Sequence, residues 1–391
     1  MKTTMTFFVL LFFPLLIDAK SKRATLHIPL VHNGAHFYDN KVVFPPVSSP
    51  HSHRGLAFMA EVHFGSPQKR QLLHMDTGSS LTWTQCFPCS HCYEQKIYPK
   101  YRPAASMTYR DAMCSEDPNP KSNPHLTFDP LTRKCTYQQH YLDESNIKGT
   151  LAQEMLTVDT LDGGFKRVHG VFFGCNEFSD GSDFTGTGIL GLGVGKYSII
   201  GEFGSTFSFC LGLISEPKAS HNLILGDGAN IQGHPTVINI TGGHTMFLLK
   251  SIIVGEEITL DDPIQVFVDT GSSMSHLSTD LYYKFVDEFD DLIGRPLSYE
   301  PRLCYKADAI ERLEDMDIGF AFAGGAELSV NIHNIFLPQG SSGIRCLGIL
   351  NNKESFTHVI IGVIAMQGYN VGYDLKAKTA YFSKQYCDME M

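Results

Sequence analysis

Short apolar runs broken by glycine, proline and small hydroxyl residues recur along most of the chain, a pattern of strands and turns. Leu56 to Gly65 predicts a strand, Gly65-Ser66-Pro67-Gln68 its turn, and Gln71 to Met75 the next strand. Further strands are predicted at Gly188 to Gly193, Ile252 to Gly255, Val266 to Val268 and Val359 to Gly362. One helix interrupts the series. Leu281, Phe285, Val286, Phe289 and Leu292 fall on one helical face, Ser278 or Thr279 offers the cap, and Gly294 the stop. Asp287, Glu288, Asp290 and Asp291 alternate with those apolar positions, which predicts a solvated face rather than a metal site.

Two strands end alike. Leu73-His74-Met75-Asp76-Thr77-Gly78-Ser79-Ser80 recurs in substance as Val266-Phe267-Val268-Asp269-Thr270-Gly271-Ser272-Ser273, about 190 residues later. A single Asp-Thr-Gly reads equally well as an Asx-turn. Two copies a domain length apart predict duplicated lobes, each delivering one aspartate to a shared cleft. Carboxylates in contact cannot both ionise, so one pKa rises and the pair shares a proton. The ionised member then takes a proton from water while the protonated member polarises a carbonyl.

Composition agrees with two β-rich lobes. The 391 residues are 43% hydrophobic and only 18% charged, with 35 glycines, 27 phenylalanines and 16 tyrosines. A net charge of −10 and the lack of a basic patch argue against nucleic acid. At the N-terminus, Lys2, the apolar run Phe7 to Ile17 and Asp18-Ala19 predict a signal peptide over 1–19, the run being too short for a membrane anchor. Residues 20–54 are read as a propeptide, with a linker as the other reading; the stretch holds His27, His32, His36, His51 and His53, which would gain charge on acidification. Cys86-Phe-Pro-Cys89-Ser-His91-Cys92 admits a zinc site, but ten cysteines in a secreted chain favour disulfides.

These motifs resemble the pepsin-like aspartic endopeptidases, and more closely the atypical plant nepenthesin-like group, over most of residues 56–387. The resemblance implies a mostly all-β, bilobal pepsin-like aspartic protease fold, with an N-terminal lobe over 55–212 and a C-terminal lobe over 213–391. It implies a water activated between Asp76 and Asp269 at acidic pH, with no covalent intermediate, no cofactor and no metal. Thr77, Gly78, Ser79, Thr270, Gly271 and Ser272 would hold the two carboxylates. Cys135 to Ser145 is similar to the family's flap hairpin, with Tyr141 as its tyrosine, and Trp83, otherwise readable as core, as a wall of the site. Thr25 to His32 looks like the strand carried by precursors of the group. Carrying over the group's pairing gives Cys86–Cys89, Cys92–Cys175, Cys114–Cys135, Cys210–Cys387 and Cys304–Cys346. Asn239-Ile240-Thr241 is a glycosylation sequon. The expected protein is a monomer, extracellular or vacuolar, acting on a peptide or protein substrate. The sequence departs from the family at Leu142 and Glu144, where the flap usually has glycines, and at Val363, where it usually has Asn. Side chains at those flap positions resist φ > 0, so a reshaped flap is expected. A silent binding or inhibitor protein on the same fold is the alternative.

Overall fold

The computed structural model describes residues 26–32, 36–38, 41–43, 57–95, 97–113, 126–159, 164–180, 186–216, 219–313, 316–352, 358–385 and 387. The expected signal peptide, His51, His53 and Cys114 lie outside the described residues. The molecule is mostly β and bilobal, as the resemblance implies.

Six antiparallel strands run through its middle, in the order Leu26–His32, His221–Leu225, Thr206–Leu211, Tyr369–Asp374, Thr379–Lys384 and His234–Thr241. Each outer strand runs on into a lobe. Leu30 to His32 pairs with Phe58–Phe64 of the first lobe, and Ile238 to Thr241 pairs with His244–Val254 of the second. Aromatic rings fill the join: Phe207 stacks on Tyr373 at 4.4 Å, and Phe247 packs against Tyr373, Phe322 and Phe382.

The two lobes place their aspartates by the same device. Lys69–Asp76 lies parallel to Gly188–Gly191 with Gly191 opposite Asp76, and Glu256–Asp269 lies parallel to Val359–Gly362 with Gly362 opposite Asp269. The chain then returns across the same partner strand, as Trp83–Gln85 in one lobe and Ser275–Leu277 in the other. The crossing is so tight that a Cβ on Gly188 would stand 1.9 Å from the Trp83 carbonyl oxygen, and one on Gly362 2.2 Å from that of Met274. The two apolar-apolar-glycine strands of the sequence are therefore backing strands for the aspartate turns.

The predicted helix spans Thr279–Ile293, with Ser278 at its N-cap making no side-chain cap bond and Gly294 at φ 91° as its stop. Leu281, Phe285, Val286 and Phe289 are buried as expected. Leu292 is not, being 43% exposed at the last turn. Tyr282 completes the stripe instead, because it stands three, four and seven residues before Phe285, Val286 and Phe289. The acidic positions Asp287 and Asp291 are exposed and Glu288 and Asp290 partly so. Among the described residues no helix is long and apolar enough to cross a membrane.

The disulfides correct one part of the expected pairing. Cys86 is bonded to Cys175 and Cys89 to Cys92, not Cys86 to Cys89 and Cys92 to Cys175. Strand register explains the exchange. Trp83–Gln85 runs parallel to Phe165–Asp180, and the Cys86 N–H donates to the Asn176 carbonyl at 2.8 Å, so Cys86 lands beside Cys175. That leaves Cys89 and Cys92 to close their own loop, and it commits the cysteine run to sulfur–sulfur bonds rather than zinc. Cys210–Cys387 and Cys304–Cys346 stand as expected. Cys135 is also disulfide-bonded; its expected partner is the undescribed Cys114. Among the described residues there is no group of three or more His, Cys, Asp or Glu able to hold a metal ion. The pairing is testable by thiol alkylation under denaturing conditions. Cys89→Ser with Cys92→Ser should leave no reactive thiol, whereas Cys86→Ser with Cys89→Ser should leave both Cys92 and Cys175 reactive.

Candidate active site

Asp76 and Asp269 close their strands at the interface between the lobes, and both are almost wholly buried. The threonines after them lock the two turns together. The Thr77 N–H donates to the Thr270 hydroxyl at 3.0 Å, and the Thr270 N–H to the Thr77 hydroxyl at 3.1 Å. Each hydroxyl in turn donates across the interface, Thr77 to the Val268 carbonyl and Thr270 to the Met75 carbonyl, both at 3.0 Å. Because all four bonds are buried, removing either hydroxyl strands backbone groups away from water, at about 1–3 kcal/mol for each.

Around the carboxylates the same symmetry holds. Gly78 N–H donates to Asp76 Oδ1 at 2.7 Å and to Asp269 Oδ1 at 3.1 Å, and Gly271 N–H donates to Asp269 Oδ1 at 3.0 Å. The Ser79 hydroxyl donates to Asp76 Oδ2, and that of Ser272 to Asp269 Oδ2 at 2.7 Å. A Cβ on Gly78 would stand 2.8 Å from Asp269 Oδ1, and one on Gly271 2.6 Å from Asp76 Oδ1. Each glycine thus vacates the space that the opposite carboxylate uses. Every dyad-supporting residue read from the sequence is present in this unit.

The electrostatics separate the two carboxyls. Burial first, and then the negative charge of Asp269, hold the Asp76 carboxyl well above its ordinary range, against the opposing hydrogen bonds from Ser79 and Gly78. Asp76 therefore holds its proton through the acidic range.

The flap hairpin pairs Cys135–His140 with Asn146–Asp159 and brings Tyr141 close to Asp76 and Ser79. Tyr141 accepts a hydrogen bond from the Trp83 indole N–H at 2.7 Å, and its phenol is pushed up by burial first and then by the charge of Asp76. Trp83, Tyr137, Ile147 and Ile189 form an apolar cluster against which Tyr141 and Tyr93 pack. Trp83 is thus both core and wall. The turn itself departs from expectation. The Tyr141 N–H bonds the Ser145 carbonyl at 2.9 Å and the Glu144 N–H the Tyr141 carbonyl at 3.1 Å. Of the two suspect positions only Glu144 takes a left-handed backbone, at φ 66°, while the exposed Leu142 does not. The other departure, Val363, is fully buried in the core, and its N–H donates to the Ser272 carbonyl at 2.8 Å, so it braces the second turn by its backbone.

Two further residues reach the site without having been singled out. Tyr93, from the cysteine-rich loop, lies in the Trp83 cluster. His276 lies seven residues past Asp269, as Trp83 does past Asp76, and is half-buried. Burial lowers its imidazole below the usual range, and the charge of Asp269 offsets part of that. Counting along the repeat would have found His276; nothing local marks Tyr93.

Family models described as xylanase inhibitor N-terminal and xylanase inhibitor C-terminal match residues 58–227 and 252–384, one over each aspartate turn. The chain belongs to the plant pepsin-like aspartic proteases. Within that family it is 83% identical over 390 residues to aspartyl protease UND of Arabidopsis thaliana, covering 100% of both chains. It is 28% identical to aspartic proteinase nepenthesin-2 of Nepenthes gracilis, covering 84% of this chain and 79% of that one. Basic 7S globulin from soybean shares the fold, with a TM-score of 0.71 at 16% identity over 93% of this chain and 97% of that one.

Two outcomes test this protease-family site. Between pH 3.8 and the raised value of Asp76, the folded chain holds a proton that the unfolded chain has lost, so stability falls as pH rises. Asp76→Asn removes that titration. Its Tm should exceed the parent's at pH 7, with the advantage shrinking towards pH 4; a difference constant with pH would contradict the coupling. At the flap, Glu144→Gly should stabilise by roughly 1 kcal/mol by relieving the left-handed backbone, while Leu142→Gly should not. Denaturant melts of the two variants decide it.

Proposed function

We propose that the protein is an aspartic endopeptidase that works at acidic pH on peptide or protein substrates. The observation that carries this reading is the hydrogen-bonded unit that holds the Asp76 and Asp269 carboxyls together, with Tyr141 close to Asp76 and Ser79. An extended peptide laid between the lobes would place its scissile carbonyl over the pair, its backbone adding to the hairpin edge as a further strand. A water between the carboxyls gives a proton to the ionised member, and its oxygen attacks the carbonyl carbon. The protonated member gives its proton to the carbonyl oxygen, forming a neutral tetrahedral gem-diol. Collapse breaks the C–N bond as the carboxyl that took the water's proton passes it to the nitrogen. A gem-diol hydroxyl gives its proton to the other carboxylate, so the dyad again holds one proton. Activity should therefore be lost as pH rises through the raised titration of the pair.

The N-terminal pattern supports secretion to an extracellular or vacuolar site, and exposed Asn239 on His234–Thr241 is open to glycosylation. The second reading is a binding protein that does not cleave. The inhibitor descriptions of the matching family models favour it; the complete pair of Asp-Thr-Gly turns favours the enzyme.

Peptide cleavage by acid-incubated protein, with and without a pepstatin-type inhibitor, separates the two. Asp76→Asn and Asp269→Asn should each lower kcat by several orders of magnitude while leaving the protein folded. Pepstatin-insensitive turnover, or turnover surviving in either variant, would remove the dyad from the mechanism.

A further inference from the structure

A cavity of about 500 Å³ opens on the first lobe at the turn Ser66-Pro67-Gln68. That turn leads into the strand Lys69–Asp76, and Asp76 ends it. Seven steps of about 3.3 Å put the two ends of the strand about 23 Å apart, so the cavity lies outside the cleft. Its volume is that of a small-ligand site, which spans about 300–1,000 Å³.

An irregularity in the sheet makes the cavity. Glu154 pairs with Val171 and Leu156 with Val168, which leaves Met155 alone opposite His169 and Gly170. This is a β-bulge, and Gly170 takes a left-handed backbone at φ 72°. Along the bulged strand Phe165, Arg167 and His169 alternate on one face. The Arg167 guanidinium stands 4.6 Å from the centre of the exposed Phe165 ring, and Arg167 and His169 both line the cavity.

The opposite wall is fixed by hydrogen bonds. The Gly65 N–H donates to the Met155 carbonyl at 2.9 Å, the Ser66 N–H to the Ser106 hydroxyl at 3.1 Å, and the Gln68 amide to the Thr157 hydroxyl at 3.0 Å. Behind the lining Thr108 lies Glu154, fully buried, which accepts from the Thr108 hydroxyl, the Tyr101 phenol and the Met155 N–H. Its charge is thus met inside the lobe. Among the described lining residues none is a carboxylate, whereas Arg167 brings a permanent positive charge and His169 a ring N–H. Pro67 and Met155 add apolar wall.

We propose that this cavity binds a small organic anion, a carboxylate or phosphate group carried on an apolar body. The oxyanion takes the paired N–H groups of Arg167, and the body lies against Met155 and Pro67. The site is separate from the dyad and stands whether or not the dyad turns over substrate.

The test is calorimetric titration of the full-length protein at low ionic strength with phenylacetate, phenyl phosphate, inorganic phosphate and benzyl alcohol. One or both phenyl anions should bind at a single site with a Kd of about 1 mM or tighter, and the tighter of the two names the oxyanion. Benzyl alcohol and inorganic phosphate each lack one half of the ligand and should bind roughly ten-fold more weakly or not at all. Arg167→Gln alters an exposed side chain and should weaken the phenyl anions roughly ten-fold, while Asp76→Asn should leave their binding unchanged. Four results would each overturn the proposal: no saturable binding of either phenyl anion, equal binding by benzyl alcohol or inorganic phosphate, full affinity in Arg167→Gln, or affinity lost in Asp76→Asn.

Discussion

Four hydrogen bonds between Thr77 and Thr270 and the backbone beyond them carry the rest of the site. Neither lobe can complete its aspartate turn alone, because each threonine hydroxyl finds its donor and its acceptor on the other chain segment. Closing the interface also buries both carboxylates, and burial is the main cause of the raised titration of Asp76. One constraint therefore produces both the geometry and the proton affinity. Gly78 and Gly271 follow from it, since only a residue without a side chain lets the carboxylates come this near.

Much of this was legible in the sequence, for reasons that are local. An apolar run ending in Asp-Thr-Gly-Ser-Ser states a strand, a turn and its hydrogen-bonding residues within eight positions, and its second copy states the pairing. The backing strands were legible because their glycines are demanded by backbone contact. The disulfide exchange was not, because it depends on which strand lies beside Trp83–Gln85, a pairing across 89 residues that spacing does not encode. Tyr93 was missed for the same reason. At the flap the error was one of resolution: two side chains were suspected where the turn needs a left-handed residue only at Glu144. Leu292 failed because a helix's last turn can swing past the edge of the surface that it covers.

The departures from the family pattern have unequal weight. Val363 bonds to the Ser272 turn through its backbone and fills core with its side chain, so the position asks for volume and an N–H. Glu144 sits at the tip of the hairpin that carries Tyr141, where its left-handed backbone holds strain that Leu142 does not.

The duplicated cleft is nearly two-fold symmetric at its floor, with reciprocal threonines, glycines and serines. A floor of that symmetry would accept an extended chain in either direction with equal contacts, because half a turn about the axis exchanges one lobe for the other. What breaks the degeneracy stands above the floor: Tyr141 is held by Trp83 on one side, while the matching position on the other carries His276. The cover thereby gives the cleft a sense of polarity that its floor lacks.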